Sequence, residues 1–213
     1  MNFFKKIFGL GKKSAPAPKK PNATVLQLMG SSGKIPLLKL LPIADTYTLQ
    51  EFTAFIRAPV LAGEAIQQGT IADKSANKDK NKSTLMFMQA GEELEDNLVS
   101  ETLRAAIYPL VKLHKHETQN ESVSFTIGRI DGNHIVMPDF AVSEQHALIQ
   151  VKQGVYELKD VGSTNGTSIN GKKIEVDKLI PLQDGDVVSL GRYEFTFLFP
   201  ERLYARLRKE KAE

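Results

Sequence analysis

The chain has 213 residues, 41% hydrophobic and 25% charged, with no cysteine and a net charge of +3. This is a globular composition, long enough for one ordinary domain with extensions, and it excludes disulfides, thiolate catalysis and thiolate zinc sites. Charge is unevenly spread: Lys5, Lys6, Lys12, Lys13, Lys19 and Lys20 have no acid among the first twenty residues, and the remaining 193 sum to −3. A nucleic-acid-binding domain would instead spread its basic residues over a folded face, so no nucleic-acid partner is expected.

Residues 1–21 read as a basic amphipathic arm followed by a Pro/Ala/Lys linker. In "MNFFKKIFGLGKK", Phe3, Phe4, Ile7 and Phe8 fall on one side of a short helix and Lys5 and Lys6 on the other. The apolar stretch is broken by lysines and too short for a signal peptide, and no segment reaches the 18 apolar residues of a membrane span. Residues 1–13 are therefore a candidate hook for an anionic membrane face, where each lysine contributes roughly 1 kcal/mol. The alternative is a frayed, solubilising tail. The expected location is cytoplasmic, peripheral at the inner membrane face if the hook operates.

Residues 22–105 are expected to form a smaller α/β region packed on the C-terminal half of the chain. "ATVLQLMG" and "KIPLLKLLPI" read as strands or buried segments. "TLQEFTAFIRAP" is the clearest helix: Thr48 and Glu51 form a capping box, Leu49, Phe52, Phe55 and Ile56 an apolar stripe, and Pro59 an end. Residues 70–83, "TIADKSANKDKNKS", read as a mobile lysine-rich loop. "TLMFMQA" resembles a strand, its Met86–Phe87–Met88 run a piece of core. "EELEDNLVSETLRAAI" has mixed helical character.

From about residue 108 the pattern becomes short alternating runs rich in Val, Ile, Phe and Tyr: "YPLVKLHK", "SVSFTIGR", "HIVMPD", "HALIQVKQGVYELKDV", "TSINGKKI" and "VVSLGRYEFTFLF". Asp131-Gly132, Gln153-Gly154, Asn170-Gly171 and Asp184-Gly185 punctuate them, the spacing of an antiparallel β-sandwich. Asp184-Gly185-Asp186 lacks the rest of a calcium-loop ligand series and reads as a turn. His114 and His116 alternate on a strand, and no metal or other cofactor is expected. Residues 201–213 read as a helical tail with Leu203 and Leu207 on one side.

Most of the polar surplus lies in "KDVGSTNGTSINGKK", far more turn chemistry than a hairpin needs. Its companions are Gly128-Arg129 at the end of "FTIGR", Ser143 and His146 in "VSEQH", and the approach "LQDGDVVSLG" to the last long strand. In this order the four motifs closely resemble the forkhead-associated (FHA) domain over residues 106–200. The resemblance implies a mainly β fold, an eleven-stranded sandwich whose loops at one end bind phosphothreonine peptides.

Such a ligand carries about −1.5 to −2 charges and three strong acceptor oxygens. It calls for one guanidinium fork and small hydroxyl donors, which Arg129, Ser143 and Thr164 supply. The resemblance gives Asn165 a contact to the peptide backbone. Gly128, His146, Ser163, Gly166, Asn170 and Gly171 are expected to brace the loops. Glu144 departs from the Arg, Lys or Asn that family members often carry after the motif serine; it either repels phosphate or selects a basic residue on the peptide.

The expected function is a phosphothreonine-peptide-binding adaptor in Ser/Thr-kinase signalling, its partner a kinase substrate. The alternative is a scaffold whose FHA domain docks a partner without phosphate. No nucleophile–base pair, carboxylate dyad or P-loop suggests an enzyme. Thr70, with Asp73 three residues on, is a candidate phosphosite that would fold back into the chain's own pocket.

Overall fold

The computed structural model describes residues 24–30, 32–64, 105–111 and 122–209. The arm and linker, the 70–83 loop, Thr70, Met86–Phe87–Met88, His114 and His116 lie outside these, as do residues 92–104 of the expected helical segment. Among the described residues there are twelve strands in two sheets, a mainly β architecture. The strands are β1 (Ile35–Pro36), β2 (Val60–Glu64), β3 (Ala105–Pro109), β4 (Val123–Gly128), β5 (Ile135–Val136), β6 (Ala147–Lys152), β7 (Val155–Asp160), β8 (Thr167–Ile169), β9 (Lys172–Lys173), β10 (Ile180–Pro181), β11 (Val187–Leu190) and β12 (Tyr193–Leu198). One sheet runs β1-β3-β2-β12-β11-β8-β9 and the other β10-β7-β6-β4-β5. Every pairing is antiparallel except β4 with β5.

Turn chemistry sets two of the three hairpins with two-residue loops. Gln153 and Gly154 have φ of 52° and 80°, Asn170 and Gly171 52° and 76°. Two central residues at positive φ make a type I′ turn, whose twist matches the strands it joins. Both hairpins stand where the sequence places turns.

The strands do not all come from residues 106–200. β2 pairs with β12 from Phe195↔Gly63 to Leu198↔Val60 on one side and with β3 from Val60↔Pro109 to Glu64↔Ala105 on the other. The expected boundary at 105/106 therefore falls inside β3, and Ala105–Ile107, read as the end of a helical segment, are extended.

The seven-stranded sheet is covered on both faces. Leu61, Tyr108, Val188, Leu190, Phe195 and Phe197 point into the sandwich with Phe125, Ile127, Ile149 and Leu158 of the other sheet. Their neighbours Val60, Ile107 and Leu198 point outward, the period-2 alternation of a strand. That outer face packs against α2 (Leu37–Thr46), α3 (Leu49–Ile56) and α4 (Pro200–Lys209).

Helix α3 has both hydrogen bonds of the Thr48–Glu51 capping box, at 3.0 and 3.3 Å. It ends at Arg57 in the left-handed region, two residues before Pro59. Phe52 and Ile56 are buried, but Leu49 is 45% exposed and lies off the stripe. "KIPLLKLLPI" is a correction: two strand residues lead into α2, which buries Leu37, Leu40, Ile43 and Ala44 at helical spacing and contains Pro42. "ATVLQLMG" is likewise helical, its single turn α1 (Val25–Leu28) closed by a Thr24–Gln27 capping box. In α4, Leu203 and Leu207 are buried, and the Tyr204 hydroxyl donates to the Tyr47 carbonyl at 2.9 Å, fastening the C-terminal helix to the turn between α2 and α3.

The C-terminal ends of β4 and β7 and the N-terminal ends of β6 and β8 meet at one end of the sandwich, with the β11–β12 turn. The connection after β7 is held there by Asp160, only 1% exposed. Its carboxylate accepts from the Gly162 and Ser163 N–H groups at 2.8 and 2.7 Å, and from the Ser163 and Thr167 hydroxyls at 2.6 Å each. Burial pushes its pKa up, but these four donors outweigh burial and hold it below the ordinary value. The fully buried His146 is lowered by burial, against the opposing pull of its Gly166 hydrogen bond and the Asp160 charge.

This framework sets how the chain responds to truncation and to acid. A fragment of residues 106–200 lacks β1 and β2, which leaves β3 without a partner and β12 paired with β11 alone, so it should give no cooperative unfolding transition or dispersed amide spectrum, whereas the full chain gives both. Acid should destabilise the full chain in two stages. The unfolded state binds a proton at His146 more readily, so stability falls as pH drops below about 6.5. The Asp160 contribution, present above about pH 4, is lost as pH falls further, through its depressed folded value. Urea denaturation across pH checks both stages, and Asp160→Ala should cost about 3 kcal/mol at neutral pH by stranding its donors.

Candidate functional site

Arg129 directly follows β4, and its N–H donates to the Ser143 carbonyl at 2.9 Å, joining two of the connections at this end of the sandwich. The approach is close: a Cβ added to Gly128 would stand 2.1 Å from the Glu144 carbonyl oxygen, so no side chain fits there. Asn133 closes the same junction from the far side. Its Nδ2 donates to the Ile130 and Glu144 carbonyls, both at 2.9 Å.

The Arg129 guanidinium lies between two neighbours. Its Nη2 is 3.3 Å from Glu144 Oε1, in an ion pair whose side chains are 30% and 65% exposed. Its Cζ stands 5.3 Å from the centre of the Phe140 ring, within cation–π range. Phe140 is 79% exposed, so its ring is available to a ligand beside the guanidinium.

Ser143 and Thr164 meet across the site. The Thr164 N–H donates to Ser143 Oγ at 3.0 Å, and the two hydroxyl oxygens are 3.4 Å apart. Beneath them His146 Nδ1 accepts the Ser143 N–H at 3.1 Å, and its Nε2 lies 3.2 Å from the Gly166 carbonyl. These partners fix a neutral imidazole protonated at Nε2, consistent with its lowered pKa.

Asn165 is exposed and its Nδ2 donates to the Ala141 carbonyl at 2.9 Å, leaving its Oδ1 without a partner among the described residues. Ser163 is tied to Asp160. Asn170 and Gly171 form the β8–β9 turn at the opposite end of β8 from the site. There the Asn170 amide donates to Asp186 at 2.8 Å and accepts the Val187 N–H at 2.9 Å.

The structure thus brings Arg129, Ser143, Glu144, Thr164 and Asn165 to one end, with Gly128, His146, Ser163 and Gly166 beside or beneath them. It presents one guanidinium, two adjacent hydroxyls and an amide oxygen with no partner among the described residues, groups able to donate to an anion and to accept an N–H. Sequence reasoning missed Asn133, Phe140 and Asp160. A polar residue before a strand and a charged one ending a strand are the sort of signal that would have pointed to Asn133 and Asp160. Among the described residues no cluster of His, Cys, Asp or Glu is arranged to hold a metal, and no helix is long and apolar enough to cross a membrane.

The FHA domain family matches residues 125–191. An FHA domain-containing protein of Arabidopsis thaliana is 38% identical over 68 residues, 32% of this chain and 18% of that protein. The oxoglutarate dehydrogenase inhibitor of Corynebacterium efficiens is 37% identical over 73 residues, 34% of this chain and 49% of that protein. The match thus spans less than half the length of either curated relative. A solved FHA domain, from a structural and functional analysis of phosphothreonine-dependent FHA domain interactions, is 36% identical; the likeness covers 35% of this chain and 75% of that one, with a TM-score of 0.33. On the family match, residues 125–191 of the chain belong to the FHA domain family.

Proposed function

We propose that the chain is a phosphothreonine-peptide-binding adaptor that reads the output of a Ser/Thr kinase. The observation that carries this reading is the convergence of the Arg129 guanidinium with the Ser143 and Thr164 hydroxyls, from three separate connections, at one end of the sandwich. Arg129 takes the phosphate oxygens, Ser143 and Thr164 donate to them, and Asn165 accepts a peptide N–H through Oδ1. The solved relative, whose studied interactions are phosphothreonine-dependent, supports the assignment of ligand.

In the free protein Glu144 occupies Arg129. An exposed ion pair of this kind contributes about 0.2–1 kcal/mol, whereas hydrogen bonds from a charged donor to phosphate contribute about 1.5–3 kcal/mol each. Phosphate therefore displaces the carboxylate, at some loss of affinity. The same pair favours the second reading, a scaffold that docks its partner without phosphate, because Arg129 already has an anionic partner. The membrane hook at residues 1–13 and a cytoplasmic location at the inner membrane face belong to the proposal as well.

Calorimetric titration of the full chain with a phosphothreonine peptide library and its unphosphorylated twin separates the readings. Binding should require phosphate, and Arg129→Ala should weaken it by about 10- to 100-fold. Glu144→Gln should strengthen it by up to about fivefold, with the melting temperature unchanged. Equal binding of both twins, insensitive to Arg129→Ala, would establish the scaffold instead.

A further inference from the structure

The β11–β12 turn, Gly191-Arg192, lies against two of the connections that carry the site. A Cβ added to Gly191 would stand 2.4 Å from the Ala141 carbonyl oxygen and 3.6 Å from Asn165 Cβ. The Gly191 N–H donates to the Gly166 carbonyl at 3.1 Å. From this close junction Arg192 reaches across to the β5–β6 connection. Its Nη2 is 3.3 Å from Asp139 Oδ2 and donates to the Tyr193 hydroxyl at 2.9 Å, and its Cζ lies 5.0 Å from the centre of the Tyr193 ring.

The Asp139 side chain is 1% exposed, against 49% for Arg192. Its Oδ1 accepts the Ala141 N–H at 2.8 Å. Its backbone N–H donates to the Met137 carbonyl at 2.8 Å, and its carbonyl accepts the Val142 N–H at 2.9 Å. Where Asp160 is met by four donors from its own connection, Asp139 relies on a cation from a different one, and among the described residues that cation is Arg192. A buried carboxylate that loses its partner is strongly destabilising, so the pair ties the β5–β6 connection to the β11–β12 turn. The Tyr193 hydroxyl beside it is pushed up to about 12, by burial first and then by Asp139, and stays protonated.

What this tie holds is the stretch around Phe140. Phe140 stands between Asp139 and Ala141, and the Ala141 carbonyl in turn accepts the Asn165 Nδ2–H at 2.9 Å. The phosphate contacts are braced by other groups: the Arg129 N–H by the Ser143 carbonyl, the Ser143 N–H by His146, and the Thr164 N–H by Ser143 Oγ. We infer that Arg192 is a positioning residue for the peptide: acting through Asp139, it fixes the Phe140 ring and the Asn165 amide beside the phosphate contacts without itself touching ligand. This rests on the phosphothreonine reading.

The test compares two ligands on the folded full chain: a phosphothreonine peptide that the wild type binds, and phosphothreonine capped at both ends, which offers the phosphate without the peptide. Arg192→Gln should weaken the peptide by about five- to tenfold and leave the capped amino acid within about twofold of wild type. In the free protein the same substitution should move the Asn165 side-chain amide resonance and the backbone resonances of Phe140 and Ala141. Arg192→Lys keeps a cation for Asp139 but cannot span Asp139 and Tyr193 with one fork, so it should lose about threefold on the peptide alone. It also carries the comparison if Arg192→Gln does not fold. Equal weakening of both ligands would reduce Arg192 to a merely structural role and overturn the inference, as would unchanged peptide affinity in both variants. Failure of the wild type to bind any phosphopeptide would overturn the phosphothreonine reading, and this inference with it.

Discussion

The Asp160 carboxylate is out of water and ionised, a state that is costly unless donors are turned toward it. Four donors from Gly162, Ser163 and Thr167 meet that demand, and in doing so they fix the path of the chain after β7. Thr164 and Asn165 have no contact with Asp160 in this network. They are presented by a backbone anchored on both sides of them, which leaves their side chains free for other partners. His146 gives the same support from the neighbouring connection, bonding the Ser143 N–H and the Gly166 carbonyl from a fully buried position. Beneath the exposed polar groups lies a second layer of polar groups that is satisfied internally, so the upper layer loses little order when it engages a ligand.

The upper layer is already compensated in charge. Arg129 is neutralised locally by Glu144 and shielded on another side by the Phe140 ring. The ion pair keeps the guanidinium in one place before a ligand arrives, which favours orientation over strength. Such a pair is easily exchanged because both side chains reach solvent, so an incoming anion with better geometry can replace the carboxylate.

Features written in local spacing were legible in the sequence. The Gln153-Gly154 and Asn170-Gly171 turns are type I′ because those residues tolerate positive φ, and the α3 capping box is complete within four residues. The buried face of α4 follows from Leu203 and Leu207 alone. Features that depend on distant partners were not legible. "LLKLLPIADT" is nearly continuous in apolar residues and contains Pro42, which hides its helical period. "VLAGE" is short and glycine-containing, and nothing local says that it becomes an interior strand with neighbours on both sides. The ion pair of Arg129 and Glu144 depends on how connections cross at the end of the sandwich. The four motifs named the residues that gather there without showing which of them already hold one another.

The insertion of β2 between β3 and β12 also has a consequence for how the chain folds. Gly63 pairs with Phe195, well over half the chain away, and α4 then packs on α3 through Tyr204 and Phe52, whose ring centres are 5.2 Å apart. Loop-closure entropy must be met before these contacts return any energy, which marks a slow, high-contact-order route. During synthesis β2 and the helices beside it emerge long before their partners in β12 and α4. Until those arrive, β2 is an open strand edge with apolar residues beside it, the kind of surface that chaperones recognise. The sandwich cannot close progressively along the chain; it is completed only when both ends of the described chain are present together.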